Sequence, residues 1–242
     1  MYVDEHPGSE VTTIWLHHGV GSTRAWESVL PGAAAGRRSI AYDRRGFGRS
    51  NHDRAFTTAM FDEDAEELRT LIRRAGGSPV HLIGHSDGGT VALLLAARAP
   101  ELVVSVAVIA AHVRGDEVTV ATLRRMGPPA QWPEPMRRSL RRAHGEDWAV
   151  VAGGWHTLWT SPEWEGWTIV DEIGAIGCPV YTMHGLHDTL APPLHAEAIR
   201  DAIPAARIAW VDTATHEPHR VEPERFAADL ESLWRDAEGG DG

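Results

Sequence analysis

Lysine is absent from this 242-residue chain, and all 23 basic residues are arginine. Without a lysine amine, Schiff-base chemistry and a lysine general base are excluded. Cysteine is nearly absent as well: Cys178 stands alone, so no disulfide can close within the chain, which fits a reducing compartment. No apolar stretch approaches the roughly 20 residues that a membrane-spanning helix needs. The opening residues, MYVDEHPGSE, carry acid and proline where a secretory leader would have a basic end and an apolar centre, so a cytoplasmic location is expected. Positive charge is also in deficit. The formal net charge of −11 argues against a phosphate-backbone partner and against docking on an anionic membrane.

What is present reads as one globular domain with an insertion. Hydrophobic residues make up 43% and charged residues 24%, enough of each for a buried core and a solvated surface. Short β-branched or apolar runs at 11–18, 39–43, 79–84, 103–111, 179–185 and 206–212 predict strands. Helical patterns fall between them, near 22–35, 62–75, 87–98, 193–202 and 223–237. In DEDAEELRTLIRR the acids come first and the arginines last, which suits a helix dipole, and Gly76 then stops it. Such alternation predicts an α/β fold with a mainly parallel, doubly wound sheet and a site at the carboxyl ends of its strands.

From His112 to Asp171 the rhythm breaks: no strand is convincing, and six of the ten Trp residues fall there. The segment 112–171 therefore reads as a helical, Trp-rich cap or lid set into a core of 1–111 and 172–242. Its tryptophans suit either plain packing or the wall of a substrate pocket. The last residues, EGGDG, read as an unstructured end.

HLIGHSDGG contains the pattern G-x-S-x-G as Gly84-His85-Ser86-Asp87-Gly88. Taken alone it could be a glycine-rich turn with Ser86 capping a helix. Its setting is more demanding, because a buried strand precedes it and the helical TVALLLAARAP follows. That is the strand–turn–helix context of a nucleophile elbow, in which side chains at 84 and 88 would collide with neighbouring backbone. Ser86 would then stand at a helix N-terminus, where backbone N–H groups favour negative charge. Other patterns read more plainly. GFGRSN has Asn51 where a dinucleotide fingerprint needs its third glycine. HGLHD lacks the spaced His/Asp set of a metal-dependent lactonase, so no metal is expected. The paired arginines suit solvated faces of the insertion helices.

Four stretches together resemble the α/β-hydrolases of the esterase, lipase and lactonase type: HHGVGSTRAW (17–26), YDRRGFGRS (42–50), GHSDGG (84–89), and HGLHD (184–188) with THEPHRVEPERF (215–226). They stand in family order and span nearly the whole chain. GHSDGG with the Trp-rich insertion is most similar to small bacterial esterase-like members. Only about ten residues precede the first core strand, where the family usually has a further antiparallel hairpin, so the resemblance leaves room for a shortened sheet edge.

The resemblance implies a Ser–His–Asp triad in the order Ser86, Asp188, His216, without a cofactor. Asp188 lies in the usual family place after PVYTMHG, with Asp116 as the alternative from the strand at 103–111. His216 is preferred to His219 because Pro218, His219 and Pro223 then match the family's x-Pro-His and following Pro. The N–H groups of Val20 and Asp87 would form the oxyanion hole, while the Asp87 side chain would face solvent or the elbow helix. Trp155, Trp159 and His219 are the candidate pocket residues. The implied activity is hydrolysis of a small-molecule carboxylic ester or lactone. The alternatives are a C–C hydrolase, thioesterase or lyase on the same triad, or a hydrolase-fold receptor for small molecules.

Overall fold

The computed structural model describes residues 1–34 and 36–239. Its strands are β1 (Tyr2–His6), β2 (Glu10–Leu16), β3 (Arg37–Asp43), β4 (Val80–His85), β5 (Val103–Ile109), β6 (Val180–Gly185) and β7 (Arg207–Val211). They form one sheet in the order β1-β3-β2-β4-β5-β6-β7. All neighbours are parallel except β1, which runs antiparallel to β3 with Tyr2 opposite Asp43 and His6 opposite Ser39. The strand order reverses between β2 and β4, which opens a crevice at their carboxyl ends.

Alternation along the strands feeds two apolar layers. Ile14, Leu16, Ile40, Tyr42, Leu82 and Val106 face one layer. Trp15, Ala41, Ile83, Ala107, Ile109 and Met183 face the other. Burial on both faces is why these strands read as nearly continuous apolar runs. The helices are α1 (Leu30–Ala33), α2 (Met60–Arg74), α3 (Asp87–Arg98), α4 (Glu117–Met126), α5 (Glu134–His144), α6 (Trp148–Trp159), α7 (Val170–Ile173), α8 (Leu194–Ala202), α9 (Pro218–Val221) and α10 (Pro223–Ala237). Helices α2, α3 and α8 contribute to the first layer, and α1 and α10 to the second.

Helices α4 to α7 fill the stretch between β5 and β6. Its two ends meet at a neck, where Gly115 N–H donates to Trp167 O (2.7 Å) and Ile169 N–H to Val113 O (2.9 Å). Trp164 stacks on Trp167 at 4.5 Å and 13°, and Phe61 of α2 lies against both rings, so this pair fastens the segment to the core.

Two expectations change. The helix expected near 22–35 is a 3-10 turn, Thr23–Trp26, followed by the four-residue α1. Thr23 N–H donates to Asp43 Oδ1 (2.6 Å), so a carboxylate at the end of β3 sets the turn. The sheet edge is shortened, as the resemblance allowed: the single antiparallel strand β1 stands where the family usually has a hairpin. Of EGGDG, Glu238 is ordered: its carboxylate pairs with Arg37 (2.6 Å) and accepts from His81 Nε2–H (2.8 Å), while residues 240–242 lie outside the described residues.

One buried ion cluster joins the first layer to the loop after β3. Asp64 of α2 pairs with Arg44 (2.7 Å) and Arg54 (2.6 Å), and all three side chains are shut off from solvent. Removing the carboxylate would leave two guanidinium groups buried without it. Asp64→Ala should therefore cost about 3–5 kcal/mol and lower the melting temperature by roughly 10 °C. A calorimetric midpoint equal to that of the unaltered protein would refute this account of the cluster.

Candidate active site

Strand β4 occupies the centre of the sheet and turns into α3 through one residue. Ser86 is that residue, at φ 55° and ψ −122°, a conformation that L-residues rarely adopt. Surrounding bonds hold it there. Ser86 N–H donates to Ile109 O (2.8 Å), and Ser86 O accepts from the N–H groups of Gly89 (2.8 Å) and Thr90 (3.1 Å). The glycines are sterically required: a Cβ at Gly84 would lie 2.4 Å from Gly88 O, and one at Gly88 would lie 2.4 Å from Leu16 O.

Ser86 and His216 line one cavity of about 420 Å³. Ser86 Oγ makes no hydrogen bond among the described residues. His216 Nδ1–H donates to Asp188 Oδ2 (2.8 Å), and Asp188 Oδ1 accepts from Leu190 N–H (2.8 Å) and Ala191 N–H (3.0 Å). Burial penalises a charge on His216, yet Asp188, with Glu217 and Asp87 adding to it, carries the ring pKa above its ordinary value. Burial likewise opposes the Asp188 charge, and His216 with the backbone donors keeps its pKa below the usual carboxylate value.

Asp116 is engaged elsewhere. It caps α4 by accepting from Thr119 N–H (2.8 Å) and takes a second bond from His195 Nε2–H (3.1 Å), so it does not face His216. His219 is not on the cavity wall, a correction to its reading as a pocket residue. Pro218 starts α9 and turns His219 inward, against Trp26, His85 and Phe226. Burial, Arg220 and His216 push its pKa down to about 3. Of the histidines with a perturbed pKa, only His216 is raised; burial lowers His17, His18, His81, His85, His112, His144, His184 and His219.

Val20 is on the wall, in the loop after β2. Neither its N–H nor that of Asp87 has a hydrogen-bond partner among the described residues. The Asp87 side chain departs from expectation, being fully buried and accepting from Trp155 Nε1–H (2.9 Å). Burial raises its pKa. Its other oxygen has no partner and stands 3.9 Å from His112 Nδ1. Trp155 and Trp159 both reach the wall, as does Trp132, and Leu123, Met126 and Leu140 make the rest of that side apolar. The tryptophans are thus divided between wall and packing.

His144, at the end of α5, had no signal in the sequence. Gly48 N–H donates to its Nδ1 (2.9 Å), which leaves Nε2–H to donate to Val20 O (2.9 Å). The ring is neutral with one tautomer, and it ties the helical segment to the loop that carries Val20. The histidines of HGLHD do not converge on an ion. His184 donates to Ala191 O (2.7 Å), His187 is exposed, and among the described residues no group of three or more His, Cys, Asp or Glu is arranged to hold a metal. No helix among the described residues is long and apolar enough to cross a membrane.

The chain has relatives in sequence and in fold. The serine hydrolase BPHL of Mus musculus is 27% identical over 206 residues, covering 81% of this chain and 68% of its own. The proposed carbamate hydrolase RutD of Azorhizobium caulinodans is 27% identical over 246 residues, covering 93% of this chain and 91% of its own. A carboxylesterase structure from Nitrososphaera gargenis superposes with a TM-score of 0.77 at 20% identity, covering 99% of this chain and 96% of its own, and so shares the fold. The alpha/beta hydrolase fold family matches residues 12–154 directly. With its seven-stranded sheet, its elbow at Ser86 and this match, the chain belongs to the alpha/beta hydrolase fold family.

Proposed function

We propose that the protein is a serine hydrolase that cleaves a carboxylic ester or lactone. The observation that carries this reading is the strained Ser86, set in an apolar cavity beside a histidine whose far nitrogen is bonded to a buried carboxylate. Ser86 Oγ attacks the carbonyl carbon as His216 Nε2 takes its proton, and Asp188 steadies the imidazolium that results. The unpartnered N–H groups of Val20 and Asp87 receive the oxyanion. As the tetrahedral adduct collapses, the carbonyl re-forms and the alcohol departs with the proton from His216. Water, deprotonated by the same ring, then attacks the acyl-enzyme and releases the acid, restoring Ser86. Labelling by a fluorophosphonate, followed by a panel of esters, lactones and carbamates, tests the reaction class. No Ser86-dependent labelling or turnover would overturn it.

Substitutions separate the roles. Ser86→Ala and His216→Ala should each reduce kcat by about four orders of magnitude or more, because such groups act as a unit. His219→Ala should stay within about threefold on the same assay. Asp188→Asn should cost roughly ten-thousandfold while Asp116→Asn stays mild, and the reverse ranking would move the acid to Asp116.

The base must be neutral to accept a proton, so kcat/KM should rise with pH through the His216 pKa, with a midpoint above the ordinary value near 6.5. In Asp188→Asn only burial and weaker neighbours act on the ring, so the residual activity should have its midpoint at lower pH. An unmoved midpoint would assign the limb to another group.

His144→Ala should lower kcat by about tenfold with little change in KM, since it loosens the loop that presents Val20 to the transition state. An increase in KM alone would make His144 part of substrate binding instead.

A further inference from the structure

A second space adjoins the Ser86 cavity and differs from it in character. The two share His18, Val20, Pro135, Ser139 and Glu217 as walls, so a part of the substrate reaching past these residues from Ser86 would enter the second. The second is a groove of about 470 Å³ between the loop after Val20, helix α5 and the turn that follows His216. Arg24, Arg138, Arg142 and Arg220 line it against Glu27 and Glu217, an excess of positive charge on a chain whose formal net charge is −11. Both glutamates are already taken: Arg24 pairs with Glu27 at 3.0 Å and Arg220 with Glu217 at 2.9 Å. Arg142 reaches Glu27 only at 3.9 Å, and Arg138 has no carboxylate partner among the described residues. Both extend from α5 into solvent.

An open guanidinium fork selects a carboxylate or a phosphate over a neutral group. Its position relative to the reaction says which half of the substrate it meets. His216 gives its proton to the departing alcohol, and the residues just after His216, Glu217 and Arg220, line the groove. The apolar wall of Leu123, Met126, Trp132 and Leu140 is left to the acyl half. Building on the ester chemistry proposed for Ser86, we infer that the substrate is an ester whose alcohol half ends in an anionic group, a carboxylate or a phosphate, received by Arg138 and Arg142.

The test uses aryl acetates whose ring carries a short arm ending in carboxylate, phosphate or neutral carboxamide. At low ionic strength kcat/KM should favour an anionic arm over the neutral one by about tenfold. The two anionic arms distinguish carboxylate from phosphate. The preference should shrink at about 1 M salt, where the screening length falls to roughly 3 Å. Arg138→Glu should abolish the preference, with Arg142→Glu as a second variant. Arg200→Glu, an equal change of charge on the exposed surface of α8, should leave the ratio as it was. Equal rates for charged and neutral arms, with turnover still dependent on Ser86, would overturn the groove assignment and leave the ester chemistry standing. So would loss of the preference in Arg200→Glu, which would trace it to net charge. Absence of Ser86-dependent turnover on every arm would overturn both.

Discussion

Ser86 is held at φ 55° because the central strand must become a helix within a single residue, and much of the site follows from that turn. A sharper turn brings backbones closer, so Gly84 faces Gly88 O and Gly88 faces Leu16 O at separations that leave no room for a Cβ. The contact at Leu16 matters beyond the turn, because the loop with Val20 begins there. One steric requirement therefore sets the serine against the strand end from which the loop bearing Val20 departs. The unfavourable conformation persists because three backbone hydrogen bonds over-determine it.

Around this turn the protein builds a wall of uncharged histidines. Each buried ring that meets a carbonyl must donate to it, and each that meets an N–H must accept, so partners fix the tautomers of His17 and His144 as well as their neutrality. His216 differs in that Asp188, with Glu217 and Asp87, carries its pKa above the ordinary value, whereas burial keeps His81 lowered despite its bond to Glu238. The same wall joins the helical segment to the core. His144 bonds to Val20 O, Trp155 bonds to Asp87, and Thr119 Oγ1 and His112 Nε2 both donate to Leu190 O beside Asp188. Movement of helices α4 to α6 would thus be felt at the loops bearing Val20 and Asp188.

Short-range patterns were legible in the sequence and long-range ones were not. The six strands from β2 to β7 were readable from apolar runs, and the elbow from its glycines, because both depend on residues a few positions apart. The five-residue β1 carries acids and a histidine and pairs only through β3, so no local pattern marks it. The segment near 22–35 has helical composition, but Asp43 sets its first turn from the end of another strand. Asp87 and His219 carry no local mark of their burial for the same reason: a Trp155 indole buries one, and the Trp26 and Phe226 rings surround the other. The tryptophans were visible as a cluster. Their division followed from helix orientation, with Trp132, Trp155 and Trp159 on the wall and Trp164 and Trp167 against Phe61.

Strand β3 receives attachments along its whole length. β1 lies on it antiparallel, with Tyr2 beside the end of β3, and Glu238 grips Arg37 at its start. Tension applied between Tyr2 and Glu238 would therefore act along the strand axis, at right angles to the β1–β3 hydrogen bonds. Those bonds would be loaded together in shear, where peeling from one end would break them singly. Load carried between these two residues would thus fall in series on the β1–β3 ladder and on the Glu238–Arg37 ion pair.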